Sequence, residues 1–296
     1  MAGGVRHEVR AFAVALLATG WLGGCGGSSE SGAASAAYSV SLSELRTRAA
    51  GGRSDRAWQR QTVEDALEGA TMFRVDDGAG SIAAHAEITE RRDAEGIVLR
   101  LQLSMEVPPD LGAVVEELGA TVEVSRAQGD SAIREDLPLA AERAAAVLDA
   151  KVELARTPQS AAQFLRDPDA EIALVALDWV EAQRDLAAAS AVADMLHHPD
   201  DRVMLRAVEV LGQIGAAAEV PALIAAARLN DRAHTGRLYE ALAVLGGPDA
   251  EGFLSFAARN EDDPALAQLA ERALDVAQHS VPRVEAPPVT ARRGHR

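Results

Sequence analysis

A chain of 296 residues with a net charge of −16 offers no basic stripe able to displace counterions from a nucleic acid, which argues against DNA and RNA as partners. Its single cysteine leaves no disulfide framework and no thiolate cluster for zinc. The length suffices for two modest domains, a hydrophobic content of 48% is ordinary for a globular chain, and an aromatic content of 3% leaves no platform on which bases could stack.

Arg6 and Arg10 lead into an apolar stretch, Ala11 to Leu22, that is shorter than the roughly 20 residues a membrane-spanning helix needs. Leu22, Gly23, Gly24 and Cys25 close it, and Gly26 to Ala37 has the Gly/Ser/Ala composition of a flexible tether. These residues resemble a bacterial lipoprotein signal, with Gly23 where Ala or Ser is commoner. The resemblance implies cleavage before Cys25 and acylation of that cysteine, so that the chain attaches to a membrane of the cell envelope through lipid. With Gly26 in place of the Asp that holds such proteins at the inner membrane, it implies the outer membrane, facing the periplasm. The acidic balance agrees, since it would repel the protein surface from anionic headgroups and leave attachment to the acyl chains.

From residue 38 to 135 the pattern predicts a small α/β domain. Tyr38 to Leu42 reads as a strand, Trp58 to Gly69 as a helix and Thr71 to Val75 as a strand. Ser81 to Thr89 and Gly96 to Met105 form a hairpin, because Ile97, Leu99, Leu101 and Leu103 alternate at period two around the turn residues Arg92 to Gly96. A further strand falls at Ala120 to Ser125, and Leu139 to Glu153 is helical. The resulting order β-α-β-β-β-β-α is similar to that of small α/β domains in periplasmic lipoproteins of the curli-export and TolB N-terminal kind, an analogy of fold that carries no function.

Residues 136 to 280 repeat themselves. Phe164 to Val180 returns at Met195 to Leu211, with Pro168 falling on Pro199 and Ala176 on Ala207. Leu211 to Asp231 returns more loosely about 32 residues on, within Leu242 to Asp262, where Gly215 meets Gly247 and Glu219 meets Glu251. Each unit reads as two helices. Asp169, and Asp200 or Asp201, cap first helices whose apolar residues recur at i, i+3, i+4 and i+7: Ile172, Val175, Ala176, Trp179 and Val180, then Met204, Ala207, Val208 and Leu211. Gly215 breaks the second unit before Val220 to Leu229, and Asp263 to Gln278 closes the series. The Asp-Pro-Asp, helix, Gly and Val-Pro-Ala-Leu-Ile pattern resembles HEAT repeats of the phycobilin-lyase type, departing from it at Asp231-Arg232 and at Gly236. The expected fold class is therefore α+β, a small α/β domain followed by an α-solenoid of HEAT-like pairs. The expected organisation is a signal peptide at 1–24, a tether at 25–37, domains at 38–135 and 136–280 and a disordered tail at 281–296.

Motifs with chemistry in them mostly reduce to capping and turns. Asp167 to Glu171 lacks the Gly and distal Glu of a calcium loop, and His197-His198-Pro199-Asp200-Asp201 has no third ligand at a useful spacing, so no metal is expected. Asp77 to Ser81 is a turn, without the Lys-Ser/Thr and helix of a phosphate loop. His85 and His234 stand alone, and no nucleophile elbow or zincin motif occurs. No cofactor is expected. The expected function is that of a lipid-anchored, non-catalytic scaffold or adaptor that binds an envelope protein along its solenoid, where Asp194, Arg228 and Arg259 are the candidate groove residues. The alternative is an enzyme or cofactor-handling protein related to the HEAT-repeat lyases.

Overall fold

The computed structural model describes residues 37–48, 55–78, 81–92, 96–127, 132–229 and 232–279, all of which belong to one compact unit. The expected signal residues Leu22, Gly23, Gly24 and Cys25, the tether and the tail lie outside the described residues. The chain opens with β1 (Tyr38–Arg48), α1 (Arg56–Gly69), β2 (Phe73–Val75), β3 (Ile82–Arg92), β4 (Ile97–Met105), β5 (Leu118–Arg126) and α2 (Ala132–Arg156). The element order is the expected one, with β1 and α2 longer than the pattern indicated.

Five strands form one sheet in the order β2-β1-β3-β4-β5. The first strand lies in its interior, parallel to both β2 and β3, while β3, β4 and β5 run antiparallel. Alternation sets the two faces. Leu99, Leu101 and Leu103 of β4 and Ala84, Ala86 and Ile88 of β3 point into the core, while Arg100, Gln102, His85 and Glu87 point away from it. Helices α1 and α2 cover the apolar face through Val63 and Leu67 of α1 and Leu137, Ala141, Ala144 and Leu148 of α2. Asp55 starts α1, accepting a hydrogen bond from the Trp58 N–H at 3.1 Å. The expected domain boundary at residue 135 falls within α2, whose length from Ile133 to Val152 contributes to the core of the sheet.

Helical pairs follow. They are α3 (Ala161–Phe164), α4 (Ala170–Gln183), α5 (Ala189–Asp194), α6 (Asp201–Ile214), α7 (Val220–Leu229), α8 (Arg232–Leu245), α9 (Gly247–Asn260) and α10 (Pro264–His279). Helices α2, α4, α6, α8 and α10 pack each on the next, and α7 packs on α9 beside that row. The mixed architecture of sheet and helices agrees with the α+β expectation.

The same backbone devices recur at intervals of about 31 residues. Asp169 and Asp200 cap α4 and α6 through side-chain hydrogen bonds to the N–H groups of Glu171 and Arg202, each at 2.9 Å, and Asp263 accepts from Ala265 at 2.8 Å to start α10. At the opposite ends, α4 stops at Arg184 with φ 51°, α6 at Gly215 with φ 76°, and α8 before Gly246 and Gly247 with φ 64° and 87°. Gly236, where the third unit departs from the repeat, sits where α10 crosses α8: a Cβ there would lie 3.0 Å from Leu269 Cδ2.

The apolar phase of α6 is as expected, with Met204, Ala207, Val208 and Leu211 buried. That of α4 is rotated. Ala173, Ala176, Leu177 and Val180 are its buried residues, while Ile172, Val175 and Trp179 are only partly covered. The reason is packing on two cores at once: Val175 touches both the helical core and the core under the sheet, and Ile172 touches the latter. The outermost helix is amphipathic, burying Leu266, Ala270, Ala273 and Ala277 and turning Gln268, Glu271, Arg272 and Asp275 to water.

Candidate interaction surfaces

The residues expected to line a groove all fall on the second helices of the pairs: Asp194 ends α5, Arg228 lies in α7 and Arg259 in α9. Asp194 and Arg259 are exposed, and the Arg228 side chain lies outside the described residues. Arg259 turns back on its own helix, its Nε donating to the Ser255 carbonyl at 2.9 Å and its Nη2 to Ser255 Oγ at 3.0 Å. One turn earlier on α9 stands Phe256, 59% exposed, which the sequence pattern did not single out. Its neighbour Phe253 packs edge-on against Tyr239 of α8 with ring centroids 6.0 Å apart. Two phenylalanines three positions apart therefore serve opposite purposes, and only helix phase tells them apart.

Ion pairs run across the first helices. Arg206 of α6 donates to Asp178 of α4 at 2.8 Å and also pairs with Glu181, and the Arg202 guanidinium reaches Glu171 at 2.8 Å. Burial works against the charge on Arg206, and its bonds to Asp178 and Glu181 outweigh this, so its pKa lies above the ordinary arginine value. Asp200 is shifted the other way. The side-chain bond from Arg202 holds its carboxyl below the usual range. Where the row meets the sheet, Arg143 of α2 pairs with Asp169 at 3.3 Å beside a depression of about 610 Å³ lined by Glu123, Pro168, Pro199 and Asp201 among others. Five carboxylates line it, Glu123, Asp169, Glu171, Asp200 and Asp201, against the two guanidinium groups of Arg143 and Arg202.

The sole lysine, Lys151, projects from α2 to the edge strand β5, its Nζ donating to the Gly119 carbonyl at 2.6 Å. Burial lowers its pKa, opposed in part by Glu117 and Asp178.

A second concavity lies between α1 and α2, on the side of these helices away from the sheet. Its volume is about 670 Å³, and Trp58, Thr62, Asp65 and Ala66 of α1 face Pro138, Glu142, Ala146 and Asp149 of α2 across it. Arg134 holds its guanidinium carbon 5.6 Å from the Trp58 ring centroid at one end. At the other, the Asp149 carboxylate accepts from the N–H groups of Thr71 at 3.2 Å and Met72 at 2.6 Å.

Histidines singled out in the sequence serve local structure. His198 Nδ1 accepts from the Asp200 N–H at 3.0 Å, His85 stands on the open face of the sheet 3.9 Å from Glu44, and His234 lies 3.8 Å from Asp201. Among the described residues, no three His, Cys, Asp or Glu side chains converge on a metal-sized space. No helix among them is long and apolar enough to cross a membrane. Compared with protein-family models and with curated proteins, the chain matches none.

Proposed function

We propose that this protein is a lipid-anchored adaptor of the bacterial cell envelope, non-catalytic, which holds another envelope protein along a short HEAT-like solenoid built from the helical pairs. What carries the reading is the recurrence of one unit: Asp caps at 169, 200 and 263, left-handed helix ends at 184 and 215 and positive-φ glycines at 246 and 247, with the first helices packed in a row. Units of this kind cannot bury an apolar face alone, and stacking them produces an extended surface suited to protein recognition. On that surface the second helices present Asp194, Phe256 and Arg259 to solvent, an aromatic and two charges of opposite sign. The anchoring half of the proposal rests on Leu22 to Cys25 and the tether that follows them.

Site-specific photo-crosslinking in the native envelope tests the binding half. A crosslinker at Phe256 or Asp194 is expected to trap a discrete protein partner that one at Asp178, on the first-helix row, does not trap. Equal adducts from all three positions would overturn the assignment of the face. For the anchor, Cys25→Ser is expected to move the protein from the detergent to the aqueous phase on partitioning, because acyl chains contribute about 0.8 kcal/mol per buried CH₂. Unchanged partitioning would remove the lipoprotein part of the reading.

A further inference from the structure

We propose that the groove between α1 and α2 is the seat of a cationic helix, an arginine- or lysine-bearing segment of a partner protein about three turns long. The inference stands on the sheet-packed helices alone and does not depend on the solenoid reading.

Charge selects the class of occupant. Asp65 on the α1 wall and Glu142 and Asp149 on the α2 wall put three carboxylates on the two sides of the groove, against one guanidinium, Arg134, at its Trp58 end. Two of the carboxylates are fixed in place: Gln61 Nε2 donates to Asp65 at 2.7 Å, and the Thr71 and Met72 N–H groups hold Asp149. Glu142 is exposed on the opposite wall. At the Trp58 end the chain's own Arg134 guanidinium already covers the ring, so the negative charge that selects a cation lies toward Asp65, Glu142 and Asp149.

Shape selects the conformation. Ala66, Gly69, Ala70, Ala145 and Ala146 leave little side chain between the two walls, so a third helix can approach toward the short end of the usual 8–10 Å interaxial range. From Trp58 to Gly69 the α1 wall measures about 16 Å at 1.5 Å per residue, the length of about three helical turns. Apart from the interruption at Pro138 of α2, both walls are helices whose backbone groups are paired along their own axes. An extended segment would find no ladder there for its N–H and C=O groups, whereas a helix satisfies its own. A helix with small residues facing the floor and cations spaced four apart on its flanks meets Asp65 on one side and Glu142 on the other.

The test is a titration of the full chain carrying Trp21→Phe and Trp179→Phe, in which Trp58 is the only tryptophan emitter. The probe is an alanine-based helical peptide of about four turns with arginine at every fourth position, compared with its glutamate counterpart. Saturable quenching or shift of Trp58 emission is expected with the arginine peptide, weakening with salt, and none with the glutamate peptide. Asp65→Asn with Glu142→Gln is expected to raise the Kd by about tenfold or more, while Asp249→Asn with Glu271→Gln, the same charge removed elsewhere, leaves it unchanged. Absence of saturable binding, equal binding of the glutamate peptide, or equal loss in the two double variants would overturn the proposal. So would binding seen only after removal of residues 280–296, which would make the chain's own arginine-bearing tail the occupant. A dimer dissolved by Ala146→Leu would instead make a second copy the occupant. None of these results bears on crosslinking from α5 and α9, so this proposal and the adaptor reading fail separately.

Discussion

Arg206 on α6 donates to Asp178 on α4 across 2.8 Å, and the same guanidinium reaches Glu181 one turn further along α4 and Glu209 on its own helix at 3.4 Å. One cation therefore ties two consecutive units of the helical row at three carboxylates. Arg206→Ala is expected to destabilise the fold by about 1 kcal/mol, the upper end for a surface pair because several charges share the site. Urea denaturation at low and at high salt checks this, since the difference between variant and parent should shrink as salt rises.

Leu211 is fully buried in the middle of that row, whereas Arg202 on the same helix keeps 60% of its side chain in water. Leu211→Ala is expected to cost about 2 to 5 kcal/mol through lost burial and a residual cavity, and Arg202→Ala less than about 1 kcal/mol. Equal midpoints in denaturant for the two variants would contradict the packing described here.

Arg184 ends α4 in the left-handed region at φ 51°, the position that Gly215 fills one unit later. A side chain in that conformation costs roughly 1 kcal/mol that glycine does not. Arg184→Gly is accordingly expected to raise stability by up to about 1 kcal/mol, visible as a higher thermal midpoint, while Gly215→Arg should lower it.

Asp200 has a carboxyl held below its ordinary pKa by Arg202, so its contribution is complete above the unfolded value of about 3.9 and is lost as pH falls through the lower folded value. Asp200→Asn keeps a capping oxygen but removes the titration. Stability measured between about pH 5 and pH 2 should fall less steeply in this variant than in the parent. An identical acid limb would show that Asp200 carries no such linkage.

Much of the fold was legible because its signals are local. Alternation over Ile97 to Leu103 marks β4, the Asp caps mark where α4 and α6 begin, and Gly215 marks where α6 ends. What escaped depends on partners distant in sequence. The phase of α4 departs from its own periodicity because Val175 lies between two cores, a circumstance no single-helix pattern encodes. Nothing near Trp58 announces the groove, because its other wall, Pro138 to Asp149, is brought alongside only when α1 and α2 share one face of the sheet. On the second helices, Asp194 and Arg259 were legible as polar positions, but Phe256 was not, its exposure depending on how far α9 turns between Phe253 and Phe256.

Tyr38, the first strand residue, is clamped: its hydroxyl donates to Asp110 at 2.5 Å, the Arg156 guanidinium lies 4.4 Å from its ring centroid, and its N–H donates to the Met72 carbonyl at 2.8 Å. The strand that begins there is flanked on both sides, by β2 and by β3. A force entering the fold at this residue would meet the β2 ladder over Tyr38 to Val40 and then, from Val40 onward, the longer β3 ladder in succession. The start of the sheet is thus held by a hydroxyl bond, a ring contact and a backbone ladder together, so tension applied at Tyr38 would load several of them before β1 could slide.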